Sequence, residues 1–476
     1  MSAKESTEKK KYKLVAPDGG YGYMIALSAT IILTTATMFQ GCFGLIFKNF
    51  MEELGINSVH VTVMMGIGSI CSAASGFLTG TFVKFMSLRM LTLLGAVLLN
   101  IGTFGCVFAN TMFTFYVFNG IFPSIALGIL FNVSFTTLNL YFVEKRMMVI
   151  SFCQTIIALV TMVVPMFLKW SLEEYGFRST LLLVSGISMN CIFGAILIQP
   201  VEKYMRKVEI EEKDELLISD KELKQKLKSE VKLNDIEGNI SEKSLELSEE
   251  NEKTNRLTKI YNTLLDKSLR KTYLLSCVCY GPTLCMFADV TYIVMLPQAL
   301  YTAHWSQDNV ALAISLIGFG DLTMRIVFIF IGNWMFKFGS AEIYVAGIIL
   351  ALVARLGQLW TKSFIANMIF ITLAGIARCS IAILLPVVIA DAVLPEQFSS
   401  AMGISMMFSG LTNLSLGFAI GGVRDLTNSY DVAFYLIASC FALVAIFWTI
   451  ELFYKKNKHK RQLRREYLRQ KQNVKS

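Results

Sequence analysis

The chain has 476 residues and is far more apolar than an ordinary soluble protein. Hydrophobic residues make up 54% of the sequence and charged residues 17%, whereas charged residues are about 25% of typical globular domains. The formal net charge is +9. A soluble protein of this size cannot bury so much apolar surface. The composition therefore excludes a disordered chain, a secreted disulfide scaffold and an ordinary cytosolic enzyme, and indicates a polytopic membrane protein.

Apolar segments long enough to cross a bilayer occur in two groups of six. A spanning helix needs about 20 mostly apolar residues. The first group lies at residues 21–46, 59–83, 90–109, 112–140, 148–168 and 179–199. The second group lies at residues 272–297, 308–334, 341–360, 364–391, 399–422 and 431–454. We therefore predict an all-α membrane protein with twelve transmembrane helices, here called spans 1 to 12.

The polar segments divide the chain into five parts. We predict a cytoplasmic amino-terminal tail at 1–19, a six-helix bundle at 20–199, a cytoplasmic charged loop at 200–270, a second six-helix bundle at 271–454 and a basic cytoplasmic tail at 455–476. Together with the two basic ends, the segments on the side of the tails carry more Lys and Arg than those on the other side, as cytoplasmic regions do. Ten basic residues in the last part favour anchoring to anionic lipid. We expect a multi-pass protein of the plasma membrane with both termini in the cytoplasm.

Small residues recur on one face of span 2 and of span 11. They are spaced by three, four or seven residues, which places them on one side of each helix. The residues are Gly66, Ser69, Ala73, Gly76 and Gly80 in span 2, and Gly403, Gly410 and Gly417 in span 11. Such faces let two membrane helices approach closely. Separately, similar glycine-lysine turns follow spans 2 and 8, which favours two related six-helix halves; a chance match of two turns is the alternative.

Ionisable side chains inside spans are costly and usually functional. They are concentrated in the second half, at Asp289, Asp321, Arg325, Arg355, Arg378 and Asp391. Asp321 and Arg325 are four residues apart on one helix face and can pair. Because Arg stays charged and offers a planar fork of donors, a paired Arg325 could exchange its carboxylate partner for a substrate anion. A static structural ion pair is the alternative.

The other charges in the second half allow more than one interpretation. Arg378 and Asp289 form a second pair, or they complete one network with the charges of span 8. Arg355 lies near the end of span 9, where a long side chain can reach the membrane surface. Asp391 precedes Pro395, and we expect it to orient a cytoplasmic turn.

The sequence lacks the constellations that enzymes and nucleotide-driven pumps require. It has three histidines, at the edges of spans and in the tail, and no phosphate-binding loop pattern. The cysteines lie within apolar runs and behave as small apolar residues. We expect no enzymatic activity, no metal, no other cofactor and no nucleic-acid partner.

Two motifs resemble the monocarboxylate transporter family of the major facilitator superfamily. Residues 17–23 read PDGGYGY and are similar to the family's motif at the start of span 1, with Tyr21 and Tyr23 where Trp is usual. Residues 141–146 read YFVEKR and resemble the motif between spans 4 and 5, although residues 147–150 replace its usual small residues. Asp321 and Arg325 match the family's Asp-x-x-x-Arg pair.

This resemblance implies the major facilitator fold and secondary transport of small carboxylate-bearing metabolites by alternating access. It implies that Asp18, Gly19, Gly20, Lys145, Arg146 and Asp391 belong to the family motifs and to gating. It implies that Arg325 binds the carboxylate and that Asp321 holds Arg325 or takes a proton. Asp289 and Arg378 would contact a second polar group of the substrate.

Proton coupling is open, because the lysine that proton-coupled members carry on span 1 falls at Gly41. The alternatives are a proton symporter of small organic anions and a proton-uncoupled facilitator of amino acids or other zwitterions. A non-transporting receptor or scaffold is the remaining alternative. Expected partners are the substrate, a proton, the lipid bilayer and a single-span chaperone subunit of the kind that some family members need.

Overall fold

The computed structural model describes residues 12–53, 55, 58–209, 273–274, 276–335, 339–427 and 429–473. The predicted charged loop at 200–270 lies outside the described residues from position 210 onward. The described residues divide into two units, one with residues 12–17 and 200–209 and the other with the helical spans.

The first unit contains a short two-stranded ribbon. Strand Tyr12–Val15 pairs antiparallel with strand Arg206–Glu209, so that Tyr12 lies opposite Glu209 and Val15 lies opposite Arg206. A short 3₁₀ turn, Val201–Lys203, precedes the second strand. The sequence analysis expected polar tail and loop residues at these positions. It missed the ribbon because four-residue strands so far apart in the chain leave no periodic signal.

The second unit contains the twelve predicted spans. Among the described residues, eleven helical segments are long and apolar enough to cross a membrane, and one of them, Arg146–Leu197, is 52 residues long. Gly176 interrupts this segment with φ 74° and ψ 177°, a backbone conformation that essentially only glycine adopts. The long segment therefore forms spans 5 and 6, and the prediction of twelve transmembrane helices is confirmed.

The helices of the first half include several short irregular segments. Span 1 comprises Gly22–Thr37, the 3₁₀ turn Gln40–Cys42 and Phe43–Glu53. Span 2 is Ser58–Phe82, and span 3 is Leu88–Gly105 followed by the 3₁₀ turn Cys106–Phe108. Span 4 comprises Met112–Phe115, the π-helical Tyr116–Ile121 and Phe122–Tyr141. Spans 5 and 6 comprise Arg146–Ser188 and Asn190–Leu197.

The helices of the second half are more regular. Spans 7 to 9 are Cys277–Thr302, Gln307–Met335 and Ser340–Trp360. Span 10 is Phe364–Ala392, and the 3₁₀ turn Pro395–Gln397 leads into span 11, Phe398–Thr427. Span 12 belongs to the helix Tyr430–Asn473, so helical backbone continues into the segment predicted as a basic tail.

The start of span 1 defines one end of the bundle, which we call the amino-terminal face. Short connections make successive spans antiparallel, so even-numbered spans of the first half end at this face. The Tyr21 hydroxyl donates a hydrogen bond to the carbonyl of Leu197 at 2.9 Å. Deeper in the bundle, the Ser28 hydroxyl donates to the carbonyl of Gly194 at 2.7 Å. These bonds hold span 1 against span 6.

The small-residue faces of spans 2 and 11, each predicted to let another helix approach closely, pack against each other. A Cβ atom added at Gly80 would lie 2.7 Å from the Cα of Ser400. One added at Gly403 would lie 2.6 Å from the carbonyl oxygen of Gly76. Side chains at either position would therefore collide with backbone of the other half. Glycine at these positions lets the two halves meet backbone to backbone.

Candidate translocation site

A cavity of about 720 Å³ lies between the two six-helix halves. This volume is within the range of about 300–1,000 Å³ that small-molecule sites occupy. The first half contributes residues of spans 1 to 4 and 6 to its wall, and the second half contributes residues of spans 7, 10 and 11. A cavity shared by both halves is the place where a transporter of this architecture binds its substrate.

The wall of this cavity carries no charge. No Asp, Glu, Lys, Arg or His is among the described residues that line it. The largest apolar contributions are five phenylalanines and five methionines: Phe39, Phe43, Phe47, Phe131, Phe135, Met64, Met65, Met286, Met402 and Met406. Three amides, Gln40, Asn119 and Asn413, and several hydroxyl groups supply the polar surface.

Hydrogen bonds join the two halves at the amino-terminal face. The side-chain amide of Asn132, in span 4, donates to the carbonyl of Ser399 at 3.0 Å. The Ser399 hydroxyl donates in return to the Asn132 side-chain oxygen at 2.8 Å. The Ser400 hydroxyl donates to the carbonyl of Gly80 at 3.0 Å. Asn132 and Ser399 are buried, so these bonds are shielded from water.

An ion pair joins the halves at the same face. Arg146, at the start of span 5, lies 3.1 Å from the carboxylate of Asp391 at the end of span 10. The other carboxylate oxygen of Asp391 accepts a hydrogen bond from the Ser340 hydroxyl at 2.5 Å. The expectation that Asp391 orients a cytoplasmic turn was too local, because its principal partner is 245 positions away in the sequence.

The two sequence motifs of the first half contact each other and position Arg146. One oxygen of Asp18 accepts the backbone N–H groups of Val143, Glu144 and Lys145 at 2.7, 3.1 and 3.4 Å. Asp18 thereby fixes the turn from which span 5 starts, where a carboxylate also suits the helix N-terminus. Gly20 has φ 58°, which favours glycine. Gly19 lies between Asp18 and Gly20 in the same turn.

Asp321 and Arg325 form the predicted ion pair on span 8. Arg325 Nε lies 2.8 Å from Asp321 Oδ2, and both side chains are largely buried. The other carboxylate oxygen of Asp321 and Nη1 of Arg325 are buried without a hydrogen-bond partner. Neither residue is part of the cavity wall. The pairing prediction is confirmed, and the predicted contact with substrate stays a prediction.

Arg355 is buried and does not reach the membrane surface. Its guanidinium lies 2.5 Å from Asp289, and the side chain is 1% exposed. Its central carbon lies 4.5 Å from the ring centre of Tyr292 and 4.4 Å from that of Phe441. The expectation that Arg355 extends to the membrane surface was therefore wrong. Its position near the end of span 9 gave no indication of the partners on spans 7 and 12.

Arg378 is the more loosely held partner of Asp289. Its Nε lies 3.8 Å from the second carboxylate oxygen of Asp289, and 35% of its side chain is exposed. In an α-helix, residues four and seven positions apart share a face. Arg378 therefore shares its face of span 10 with Ala382 and Leu385, which line the cavity. Arg378 is therefore one helical turn from the wall, a position that we call the rim of the cavity, and it is not itself among the described residues that line the cavity.

Gly41 lies beside the cavity wall and Gln40 lies in it. Both belong to the 3₁₀ turn that interrupts span 1. A Cβ atom at Gly41 would have no atom within 4 Å. Steric crowding therefore does not explain why this position lacks the family's lysine. The sequence analysis did not identify Gln40, Asn119 or Asn413 as site residues. The helix irregularities that accompany Gln40 and Asn119 have no clear sequence signal.

The close contact at Gly80 predicts a variant that opens the amino-terminal face. Gly80→Leu would insert a side chain into the backbone of Ser400 and should disfavour the closed arrangement by roughly tenfold or more. A cysteine introduced at Ser409 in the cavity wall should then react faster with an impermeant thiol reagent added from the amino-terminal face.

Gly66→Leu is the matched control, because Gly66 also lies on span 2 and has open space around it. Labelling of the parent chain corrects for native cysteines. Equal labelling rates in the Gly80→Leu and Gly66→Leu proteins would show that the spans 2 and 11 contact does not close this face.

Comparisons with known proteins agree with this architecture. The Major Facilitator Superfamily model matches residues 29–281 and 278–472. The chain is 23% identical over 429 residues to monocarboxylate transporter 1 of Bos taurus, covering 88% of this chain and 82% of that protein. It is 21% identical over 423 residues to monocarboxylate transporter 6 of Mus musculus, covering 88% of this chain and 84% of that protein.

A solved structure gives the same result for the fold. The transporter FucP in its outward conformation matches with a TM-score of 0.62 at 12% identity, covering 90% of this chain and 99% of that chain. The resemblance to monocarboxylate transporters and the major facilitator fold are thus confirmed. The family and the fold are those of multi-pass membrane transporters and not of enzymes.

Proposed function

The chain belongs to the Major Facilitator Superfamily, and we propose that it is a secondary transporter of carboxylate-bearing metabolites that works by alternating access. The observation that carries this proposal is the cavity between the halves with an arginine at its rim. The monocarboxylate transporters that resemble this chain support the substrate class.

Alternating access requires contacts that close one face and can break as a set. The Arg146–Asp391 pair, the Asn132–Ser399 bonds and the Gly80–Ser400 bond have this character. All of them join the first half to the second at the amino-terminal face. We propose that this face is cytoplasmic in the plasma membrane and that rocking of the halves exposes the cavity to each side in turn.

We assign the carboxylate of the substrate to Arg378. Asp289 is already bound at 2.5 Å by Arg355, so its looser contact with Arg378 at 3.8 Å leaves that guanidinium able to bind another anion. Arg378 presents a planar fork that matches a carboxylate. Arg325 is the second candidate, since its Nη1 is buried without a partner, and it would bind the anion only after Asp321 moves.

We further propose that transport is not coupled to protons. Asp289 and Asp321, the two largely buried carboxylates of spans 7 and 8, are both engaged in ion pairs with arginines. Gly41 supplies no lysine to exchange a proton with them. The facilitated mode therefore fits this chain better than proton symport. The single-span chaperone subunit stays a prediction from the family resemblance.

Uptake of labelled lactate and labelled 3-phenylpropanoate by cells that express the chain tests this function. Outside pH is set to about 6 and then to about 7.5, where a carboxylic acid with a pKa near 4 stays almost fully ionised. We expect uptake of a carboxylate above that of control cells, with little further change between the two pH values after the passive leak is subtracted. Surface labelling confirms that the protein reaches the membrane.

Strong stimulation at acid pH would contradict the uncoupled mode and make Asp321 or Asp289 the proton site. Uptake of neither carboxylate by cells with confirmed surface protein would contradict the proposed substrate class.

A further inference from the structure

The cavity offers a polar subsite that the proposed carboxylate contact does not use. Gln40, Asn119 and Asn413 line the wall. Among the described residues, neither Gln40 nor Asn413 makes a side-chain hydrogen bond. Within the described part of the chain, the side-chain amide of Asn119 has one hydrogen-bond partner, the thioether sulfur of Met64 at 4.0 Å, and a thioether is a weak acceptor. These amides therefore have donors and acceptors available for a ligand.

Irregular backbone places two of these amides in the wall. Gln40 belongs to the 3₁₀ turn that interrupts span 1, and Asn119 belongs to the π-helical segment of span 4. Irregular backbone within a membrane is tolerated where it is buried in protein or lines a water-filled cavity, and π-helical segments are frequent at functional sites. Two separate departures that bring amides to one cavity indicate a built recognition site.

The apolar part of the wall suits a large and polarisable body. Five methionines and five phenylalanines line a volume of about 720 Å³. Methionine adapts to irregular shapes and makes favourable contacts with aromatic rings, and phenylalanine rings pack with other rings in offset or edge-on arrangements. A cargo the size of lactate would leave most of this apolar surface without contacts.

The uncharged wall also excludes a second charge on the cargo. An ammonium or carboxylate group inside it would be desolvated without a counter-ion, which is strongly unfavourable. Asp289 is bound by Arg355 and Arg378, and Asp321 is bound by Arg325. An ammonium group of a zwitterion would have to compete with arginines for either carboxylate.

We propose, resting on the transport function proposed above, that this cavity selects monocarboxylates with a ring-sized apolar body and a neutral polar group. The carboxylate binds Arg378 at the rim, the ring packs against the methionines and phenylalanines, and Gln40, Asn119 and Asn413 bind the neutral polar group. Zwitterions and dicarboxylates of the same size are rejected. Amino acids are therefore not its cargo.

Exchange by the purified full chain in liposomes tests this selectivity with four probes that differ in the presence of a ring and in their charged groups. 3-Phenylpropanoate has the ring and one charge, lactate lacks the ring, phenylalanine adds an ammonium group and benzylmalonate adds a carboxylate. Burial of the ring should lower the half-saturating concentration of 3-phenylpropanoate roughly 10- to 100-fold below that of lactate. Phenylalanine and benzylmalonate should be exchanged at less than roughly a tenth of its rate.

The amide subsite is tested by the preference for 3-(4-hydroxyphenyl)propanoate over 3-phenylpropanoate. Loss of a hydrogen-bonding group that is matched to a substrate hydroxyl should reduce this preference roughly tenfold in Asn119→Leu or Gln40→Leu. Asn190→Leu is the matched control, because Asn190 is exposed and bonds only within its own helix, to Ile187. Two cavity variants keep the test usable if one of them does not fold.

The possible results distinguish failure of the inferred selectivity from failure of the proposed transport function. Exchange of lactate as tightly as 3-phenylpropanoate, or of phenylalanine as fast, would overturn the inferred selectivity and leave carboxylate transport standing. An unchanged hydroxyl preference in both cavity variants would overturn the amide subsite. Exchange of no carboxylate at all would overturn the proposed function together with the selectivity.

Discussion

Asp289→Asn should destabilise the folded protein by about 3–5 kcal/mol, the cost typical of breaking a buried ion pair. The change removes the anionic partner of Arg355, whose side chain is 1% exposed. Arg355 would then be a buried cation between two aromatic rings, with no anion to balance its charge and with neutral acceptors such as the carbonyl of Ala351, at 3.1 Å. Thermal unfolding in detergent, followed by fluorescence-detected gel filtration, measures the effect.

Arg355→Met should be less damaging than Asp289→Asn, because Asp289 keeps Arg378 as a partner. The double variant Asp289→Asn/Arg355→Met should recover part of the loss, since it leaves no buried charge unpaired. Glu173→Gln is the control, because Glu173 forms an exposed pair with Lys169 at 3.9 Å that should contribute at most about 1 kcal/mol. A double variant less stable than Asp289→Asn alone would show that the pair is not the source of the effect.

Arg378→Gln should reduce carboxylate exchange roughly 10- to 100-fold, the loss expected for a hydrogen bond to a charged group. Its folded yield should stay near that of the parent chain, because Asp289 remains bound to Arg355. Arg378→Lys should retain part of the activity, since lysine keeps the charge and loses the planar fork. Exchange of 3-phenylpropanoate in liposomes, normalised to folded protein, measures the loss.

The same assay on Arg325→Gln distinguishes the two candidate arginines. If exchange survives in Arg378→Gln and is lost in Arg325→Gln, the carboxylate belongs to the Asp321–Arg325 pair, as the family resemblance implied. The present assignment favours Arg378, because Arg378 shares a helix face with residues of span 10 that line the cavity, whereas no described residue of span 8, which carries Arg325, lines it.

The features that the sequence predicted well depend on local periodicity. Twelve spans follow from apolar length, and the small-residue faces of spans 2 and 11 follow from glycines at helical spacing. The Asp321–Arg325 pair follows from a four-residue separation. In each case the relevant partners are close in sequence or repeat regularly along one helix.

The features that the sequence missed depend on tertiary contacts. Arg355 lies near the end of span 9, and its burial arises from Asp289, Tyr292 and Phe441 on other spans. Asp391 pairs with Arg146 across the two halves. A single sequence gives no signal for either contact, so Arg355 was interpreted from its distance to a helix end and Asp391 from the proline that follows it.

The uncharged wall of the cavity differs most from the charged substrate site that the sequence predicted. In the sequence, charged residues were the main candidates for substrate contacts, because ionisable groups in membranes are rare and usually functional. The structure places four of the five predicted substrate contacts in ion pairs, of which Asp289, Asp321 and Arg325 are largely buried. The surface that a substrate would meet is made of apolar side chains, amides and hydroxyls. Such residues are common in every membrane helix, so sequence alone could not single them out.

Counterflow in liposomes at equal pH on both sides tests the central claim most directly. Liposomes that contain the purified chain are loaded with unlabelled 3-phenylpropanoate and diluted into labelled 3-phenylpropanoate, with a protonophore present to abolish any pH gradient. An alternating-access carrier of this carboxylate should accumulate the label transiently above equilibrium, and Arg378→Gln should abolish the overshoot. Label uptake that follows protein-free liposomes, with the protein folded and inserted, would contradict the account.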